Sequence, residues 1–136
     1  MKLKTLLLFL FISSAYAQNQ SDAEKLINEG VVLHDKGDYS GAIDKYSKAL
    51  ELDKDNLLAL SEKAMSLNSA GKYVESIEVS KNAILTHSNE DLKNVYVNYA
   101  NALDHLKKTD EALAIYQEGI QKYPNYYQLQ FNKGIF

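Results

Sequence analysis

The chain has 136 residues, a formal charge of −3, 46% hydrophobic and 24% charged residues, one proline and no cysteine. That is the make-up of a folded unit rather than a disordered segment, and it excludes disulfides, thiolate metal sites and a cysteine nucleophile. Fifteen lysines without a single arginine, on a net acidic chain, lack both the guanidinium fork that grips phosphate in pairs and the basic surface that nucleic acid requires.

Residues 1–17 read MKLKTLLLFLFISSAYA, with Lys2 and Lys4 ahead of an apolar run from Leu6 to Ile12 and an Ala15-Tyr16-Ala17 exit. A basic start, a short apolar core and an Ala-x-Ala end mark a secretory signal peptide. The run falls well short of the roughly 20 apolar residues that a spanning helix needs. Cleavage after Ala17 is therefore expected, with export to a bacterial periplasm or beyond and no stable membrane span afterwards. Residues 18–22 are expected to form a short linker.

Beyond residue 22 the chain repeats itself. Gly37-Asp38-Tyr39-Ser40-Gly41-Ala42-Ile43 returns 34 residues later as Gly71-Lys72-Tyr73-Val74-Glu75-Ser76-Ile77. A looser third copy, Lys107-Lys108-Thr109-Asp110-Glu111-Ala112-Leu113, follows after 36. Each copy separates two helical patterns. Leu26, Gly30 and Leu33 precede the first at i, i+4, i+7, and Ala42, Tyr46, Ala49 and Leu50 follow it in one stripe of period near 3.6. Each unit thus reads as two antiparallel helices of about 13–15 residues joined by a tight turn, and no segment carries a strand pattern.

A helical hairpin of this period resembles the tetratricopeptide repeat. The first unit, 23–56, has Leu26, Gly30, Leu33, Ala42, Tyr46 and Ala49 at the family's places. The second, 57–90, keeps Leu60, Ala64, Leu67 and Ala83 but has Ser76 and Ser80 for the alanine and the aromatic. The third, 93–126, has Tyr96, Ala100, Leu103, Ala112, Tyr116, Gly119 and Pro124, and residues 127–136 read as the start of a fourth or as a capping helix. The resemblance implies an all-α, right-handed α-solenoid whose inner helices line a concave groove. It places small residues (Gly30, Ala64, Ala100) at close helix crossings, answered by Ala42 and Ala112, with Tyr46 and Tyr116 filling the gaps between hairpins. The two serines mark the second unit as the weakest, so that Ser76→Ala is expected to be neutral or stabilising. Asp91 and Leu92 exceed the repeat length and either extend the next helix backwards or bulge the turn before it.

Little in the sequence suggests catalysis. His34 and His105 fall near the ends of inner helices, about 20 Å apart at 8–10 Å per helix step, and read as solvated helix-end residues. Asp53-Lys54-Asp55-Asn56 lacks the glycine and distal glutamate of a calcium loop and reads as a helix stop and cap. No nucleophile–base set, phosphate loop or metal cluster can be assembled, so no enzyme activity, cofactor or metal is expected.

The register of the resemblance lines the groove with Ile27, Asn28, Val31, Leu58, Glu62, Met65, Asn94, Val97, Asn98, Asn101, Phe131, Asn132 and Ile135. Asparagine amides offer a donor and an acceptor to the backbone of an extended peptide. The apolar members form a strip of the kind that meets a partner. Family members that hold the C-terminal carboxylate of heat-shock chaperones use lysine, asparagine and arginine. At those places this chain has Ile27, Val31, Glu62, Asn94 and Asn98. The lining adds Glu24, Asp35 and Asp104 but no lysine, so an uncharged or basic protein segment is expected rather than an acidic tail. At the far end Leu129 and Phe136 are expected to pack on the third unit, leaving Phe131 and Ile135 uncovered. Two other readings stay open: the repeat region of a longer sensor or enzyme, and a module that self-associates through its C-terminal end.

Overall fold

In the computed structural model, which describes the backbone of residues 2–134 and the side chains of residues 15–134, seven helices follow one another. They are α1 (Lys2–Asp35), α2 (Tyr39–Leu52), α3 (Leu57–Ser69), α4 (Tyr73–Thr86), α5 (Leu92–His105), α6 (Thr109–Lys122) and α7 (Tyr127–Lys133). No strand occurs among the described residues. The architecture is an all-α solenoid of three hairpins and the opening helix of a fourth.

One turn chemistry closes all three hairpins. Gly37, Gly71 and Lys107 take left-handed φ values of 81°, 75° and 62°. Their amides donate to the carbonyls of His34, Asn68 and Asp104, and the next amides donate to Leu33, Leu67 and Leu103, all at 2.8–3.0 Å. These bonds satisfy the last carbonyls of each inner helix. Glycine reaches that conformation without steric cost, whereas Lys107 is strained there. Between hairpins, Asn56 caps α3 by accepting from the Ala59 amide at 3.0 Å, the role read from the sequence. Of the two extra residues, Leu92 opens α5 and is buried, while Asp91 remains in the turn.

Each helix packs on the next, and the inner helices α1, α3, α5 and α7 also meet one another in a row. The small residues sit where the resemblance placed them: Gly30, Ala42, Ala64, Ala100 and Ala112 are all buried. A Cβ added at Gly30 would lie 2.6 Å from the Tyr46 ring, so only glycine fits that crossing. Tyr46 and Tyr116 fill the hairpin interfaces completely. Leu129 is fully buried, and at Gly119 an added Cβ would meet it at 3.1 Å.

Three expectations need correction. Residues 18–22 are not a linker, because α1 runs through them. They contain no proline or glycine, and Gln18 Nε2 donates to Asp22 Oδ1 at 3.1 Å across one helical turn. Ser76 does not simply weaken its hairpin, since its buried hydroxyl donates to the Ala64 carbonyl at 2.9 Å. Ser80 is the true defect, a fully buried hydroxyl without a partner. Third, His34 at the end of α1 is half-buried and engaged by Ser66 rather than solvated, as described below. Of the expected signal segment, only Ala15 to Ala17 have described side chains, and all three are exposed. Among the described residues no helix is long and apolar enough to cross a membrane. Ile135 and Phe136 lie outside the described residues.

Candidate functional site

The concave wall is built from α1, α3, α5 and α7. Its apolar side chains are unevenly shared. Leu58 is 57% exposed and Phe131 50%, whereas Val31, Met65 and Val97 are half-buried. Ile27, expected in the open strip, is only 2% exposed. It has sunk into a cluster otherwise made of Ala23, Ala42, Ala49, Ala59 and Tyr46, where four small side chains leave room for its bulk. Its edge still joins Glu24, Asn28 and Leu58 in lining a hollow of about 280 Å³ between α1 and α3.

The asparagines expected to receive a peptide are mostly engaged within the protein. Asn98 is buried, and its amide donates to the Ser61 carbonyl at 3.1 Å while its own backbone carbonyl accepts from Asn68 Nδ2 at 2.8 Å. Asn101 Oδ1 accepts from the Tyr116 hydroxyl and, at 3.4 Å, from Asn132 Nδ2. Asn132 Oδ1 in turn accepts from Gln128 Nε2 at 2.9 Å, and Asn94 Oδ1 from the Tyr126 hydroxyl at 2.5 Å. These amides form polar seams between neighbouring inner helices and tie the repeats together. Asn28 is the exception: it is exposed, and its side chain has no hydrogen-bond partner among the described residues.

Glu62 occupies the groove one turn beyond Leu58 and is half-buried. Burial raises its pKa, nearby His34 opposes that shift and Asp35 adds to it. Beneath it, burial pushes the Tyr46 hydroxyl up to about 12, with the negative charge of Glu62 contributing. The ion pairs among the described residues, such as Lys45–Glu29 at 2.6 Å and Lys122–Glu118 at 3.0 Å, leave Glu62 out.

Of the two helix-end histidines expected to be solvated, His105 is exposed at the end of α5, whereas His34 is half-buried. His34 Nδ1 lies 2.7 Å from Ser66 Oγ, and its ring packs on Tyr39. The sequence did not reveal this histidine–serine pair, whose members are 32 residues apart. Ser66 is fully buried, so its oxygen is closed to a substrate and serves to orient the ring. His105 stacks on Tyr73 with ring centroids 4.6 Å apart. His87 spans two inter-repeat turns, with Nε2 2.7 Å from the Asp55 carbonyl. Among the described residues no three histidine, aspartate or glutamate side chains converge as a metal site.

Comparison with known proteins accords with this geometry. Residues 30–64 match a family model described as TPR repeat, and residues 94–126 one described as tetratricopeptide repeat. The small glutamine-rich tetratricopeptide repeat-containing protein 2 of Mycosarcoma maydis is 27% identical over 108 residues, covering 79% of this chain and 30% of the relative. The STIP1 homolog of Dictyostelium discoideum is 27% identical over 114 residues, covering 84% and 20% respectively. The chain therefore spans less than a third of either relative. Among solved structures, the first TPR of Spaghetti (RPAP3) bound to the HSP90 peptide SRMEEVD superposes with a TM-score of 0.76 at 22% identity, covering 84% of this chain and 89% of that one. The Sgt2 TPR domain from Aspergillus fumigatus gives 0.76 at 22% identity, covering 83% and 75%. With the turns, crossings and tyrosines already in register, the chain carries tetratricopeptide repeats, matched at residues 30–64 and 94–126.

Proposed function

We propose that the chain is a non-catalytic adaptor that holds an extended segment of a partner protein in its concave groove. The observation that carries this is the exposure of Leu58 and Phe131 on the inner wall, where polar side chains between them, such as Asn98 and Asn101, are already hydrogen-bonded within the protein. Apolar side chains left open along a groove favour a partner that covers them. The similar fold of Spaghetti is bound to an HSP90 peptide, and the second TPR domain of human RPAP3 is in complex with the HSP70 peptide SGPTIEEVD. Those peptides end in acidic residues. Here Glu62, Asp35 and Glu24 line the groove, so an acidic tail meets repulsion rather than a clamp.

The test is selection of peptides from a display library on the purified chain, followed by substitution on either face. Leu58→Asp and Phe131→Asp are expected to weaken the selected peptides at least about tenfold, as loss of an apolar anchor does. Leu85→Asp on the outer helix α4, where Leu85 is 85% exposed, is expected to have no effect. Equal loss from all three, or loss from Leu85→Asp alone, overturns the groove assignment.

Export belongs to the same proposal and is supported by the basic start, the apolar run and Ala15-Tyr16-Ala17. Protein recovered from its native cell is expected to begin at Gln18. Recovery of the chain with its first 17 residues intact counts against export by this route.

A further inference from the structure

We infer that the segment held in the groove carries a lysine or arginine that pairs with Glu62, two residues away from an apolar side chain seated between Ile27 and Leu58. This rests on the groove reading above and assigns its occupant.

Glu62 is a half-buried carboxylate that takes part in no hydrogen bond and no ion pair among the described residues. Withdrawing a charge from water without a partner is costly, and a cation supplied from outside relieves that cost. The charged groups acting on it are few. His34 is held by Ser66, and Asp35 adds a second negative charge from the end of α1. A basic side chain therefore finds an attractive site, and an acidic one meets two like charges.

The apolar half of the motif follows from the adjoining hollow. Its volume of about 280 Å³, between Ile27 and Leu58 with Glu24 and Asn28 at the rim, suits one aliphatic side chain. Leu58 and Glu62 are one turn apart on α3, about 6 Å along its axis. Alternate side chains of an extended chain point the same way and lie about 6.7 Å apart. The complementary pattern is therefore apolar–any–cation. The Asn28 amide, exposed and without a partner among the described residues, remains available to the backbone of that segment.

Four synthetic decapeptides in one neutral frame, carrying Leu-x-Lys, Leu-x-Gln, Leu-x-Glu or Ala-x-Lys, test this by fluorescence anisotropy on the full chain. Leu-x-Lys is expected to bind at least about tenfold tighter than Leu-x-Gln or Ala-x-Lys, with Leu-x-Glu the weakest. In Glu62→Gln, and in wild type at about 0.5 M salt, the advantage over Leu-x-Gln is expected to fall to about twofold or less. A melting curve for Glu62→Gln checks that the fold is retained. If wild type binds Leu-x-Lys and Leu-x-Gln alike, or Glu62→Gln keeps the full preference, the pairing is overturned while the groove reading stands. If none of the four binds but library peptides bind in a Leu58-dependent way, the motif is wrong and the groove is right. Should no peptide of any kind depend on Leu58, both fall together.

Discussion

Lys107 stands in a left-handed turn position that glycine fills in the two earlier hairpins. A side chain there costs about 1 kcal/mol, so Lys107→Gly is expected to raise stability by about 0.5–1 kcal/mol and Gly37→Ala to lower it by about 1 kcal/mol. Urea melts of the two variants read this directly, and shifts in the same direction would contradict it. Glu62 makes a second prediction at this scale. Burial raises its pKa in the folded state, so the folded chain holds that proton more tightly than the unfolded one. Its favourable contribution is complete below the unfolded pKa and is lost as pH rises through the elevated folded value. Glu62→Gln, which cannot ionise, is therefore expected to be more stable than wild type at pH 7, and the gap should close in acid. A gap that widens as pH falls contradicts the assigned environment.

Helix α4 is the element where the family pattern is least obeyed, and its two serines have opposite effects. Ser76 donates to the Ala64 carbonyl, whereas the buried Ser80 hydroxyl has no acceptor. Hence Ser76→Ala is expected to cost about 1 kcal/mol and Ser80→Ala to gain about 1 kcal/mol, from the same chemical change. Ala42→Leu, which overfills a close crossing, is expected to cost about 1–3 kcal/mol and to exceed both. Denaturant midpoints that ranked Ser80→Ala below Ser76→Ala would show that the Ser80 hydroxyl finds a partner. The hairpins were legible in the sequence because each crossing requires a small residue once per repeat, as at Gly30, Ala64 and Ala100, 34 and 36 residues apart. The groove was legible only as a set of positions. Whether Asn98 faces a ligand or the Ser61 carbonyl depends on a residue 37 places away, and one-repeat periodicity carries no record of such pairs. The same holds for His34 with Ser66. Ile27 occupies a groove position yet sinks inward because its neighbours are alanines, a matter of volume rather than pattern. The continuity of α1 was hidden for another reason: an Ala-x-Ala exit marks a cleavage site without interrupting helical propensity.

Across the whole molecule the interior divides into two clusters, one around Tyr46 and one around Tyr96 and Tyr116, with Leu50 packed against both. Such an array is stabilised by neighbour interfaces, so order is not uniform from end to end. Circular dichroism is expected to report helix as the dominant structure. Among the described side chains of α1 the first buried one is Ala23, and those of residues 15–22 are all exposed, including Tyr16 at 66%. The bond after Ala17 thus lies about 9 Å along the helix from Ala23. A lone helical turn without a neighbour opens readily, whereas Tyr46, Tyr96 and Tyr116 are reached only when the repeats themselves unfold. Limited digestion with chymotrypsin is therefore expected to cut after Tyr16 long before those three, and a chain beginning at Gln18 should melt at the same temperature as the 136-residue form. Early cuts at Tyr46, or a midpoint lowered by several degrees, would mean that the leading segment props the first hairpin. With the bond after Ala17 outside both described clusters, a peptidase that cut there would be free to act before or after the solenoid closes, and the order of those two events would leave the finished repeats unchanged.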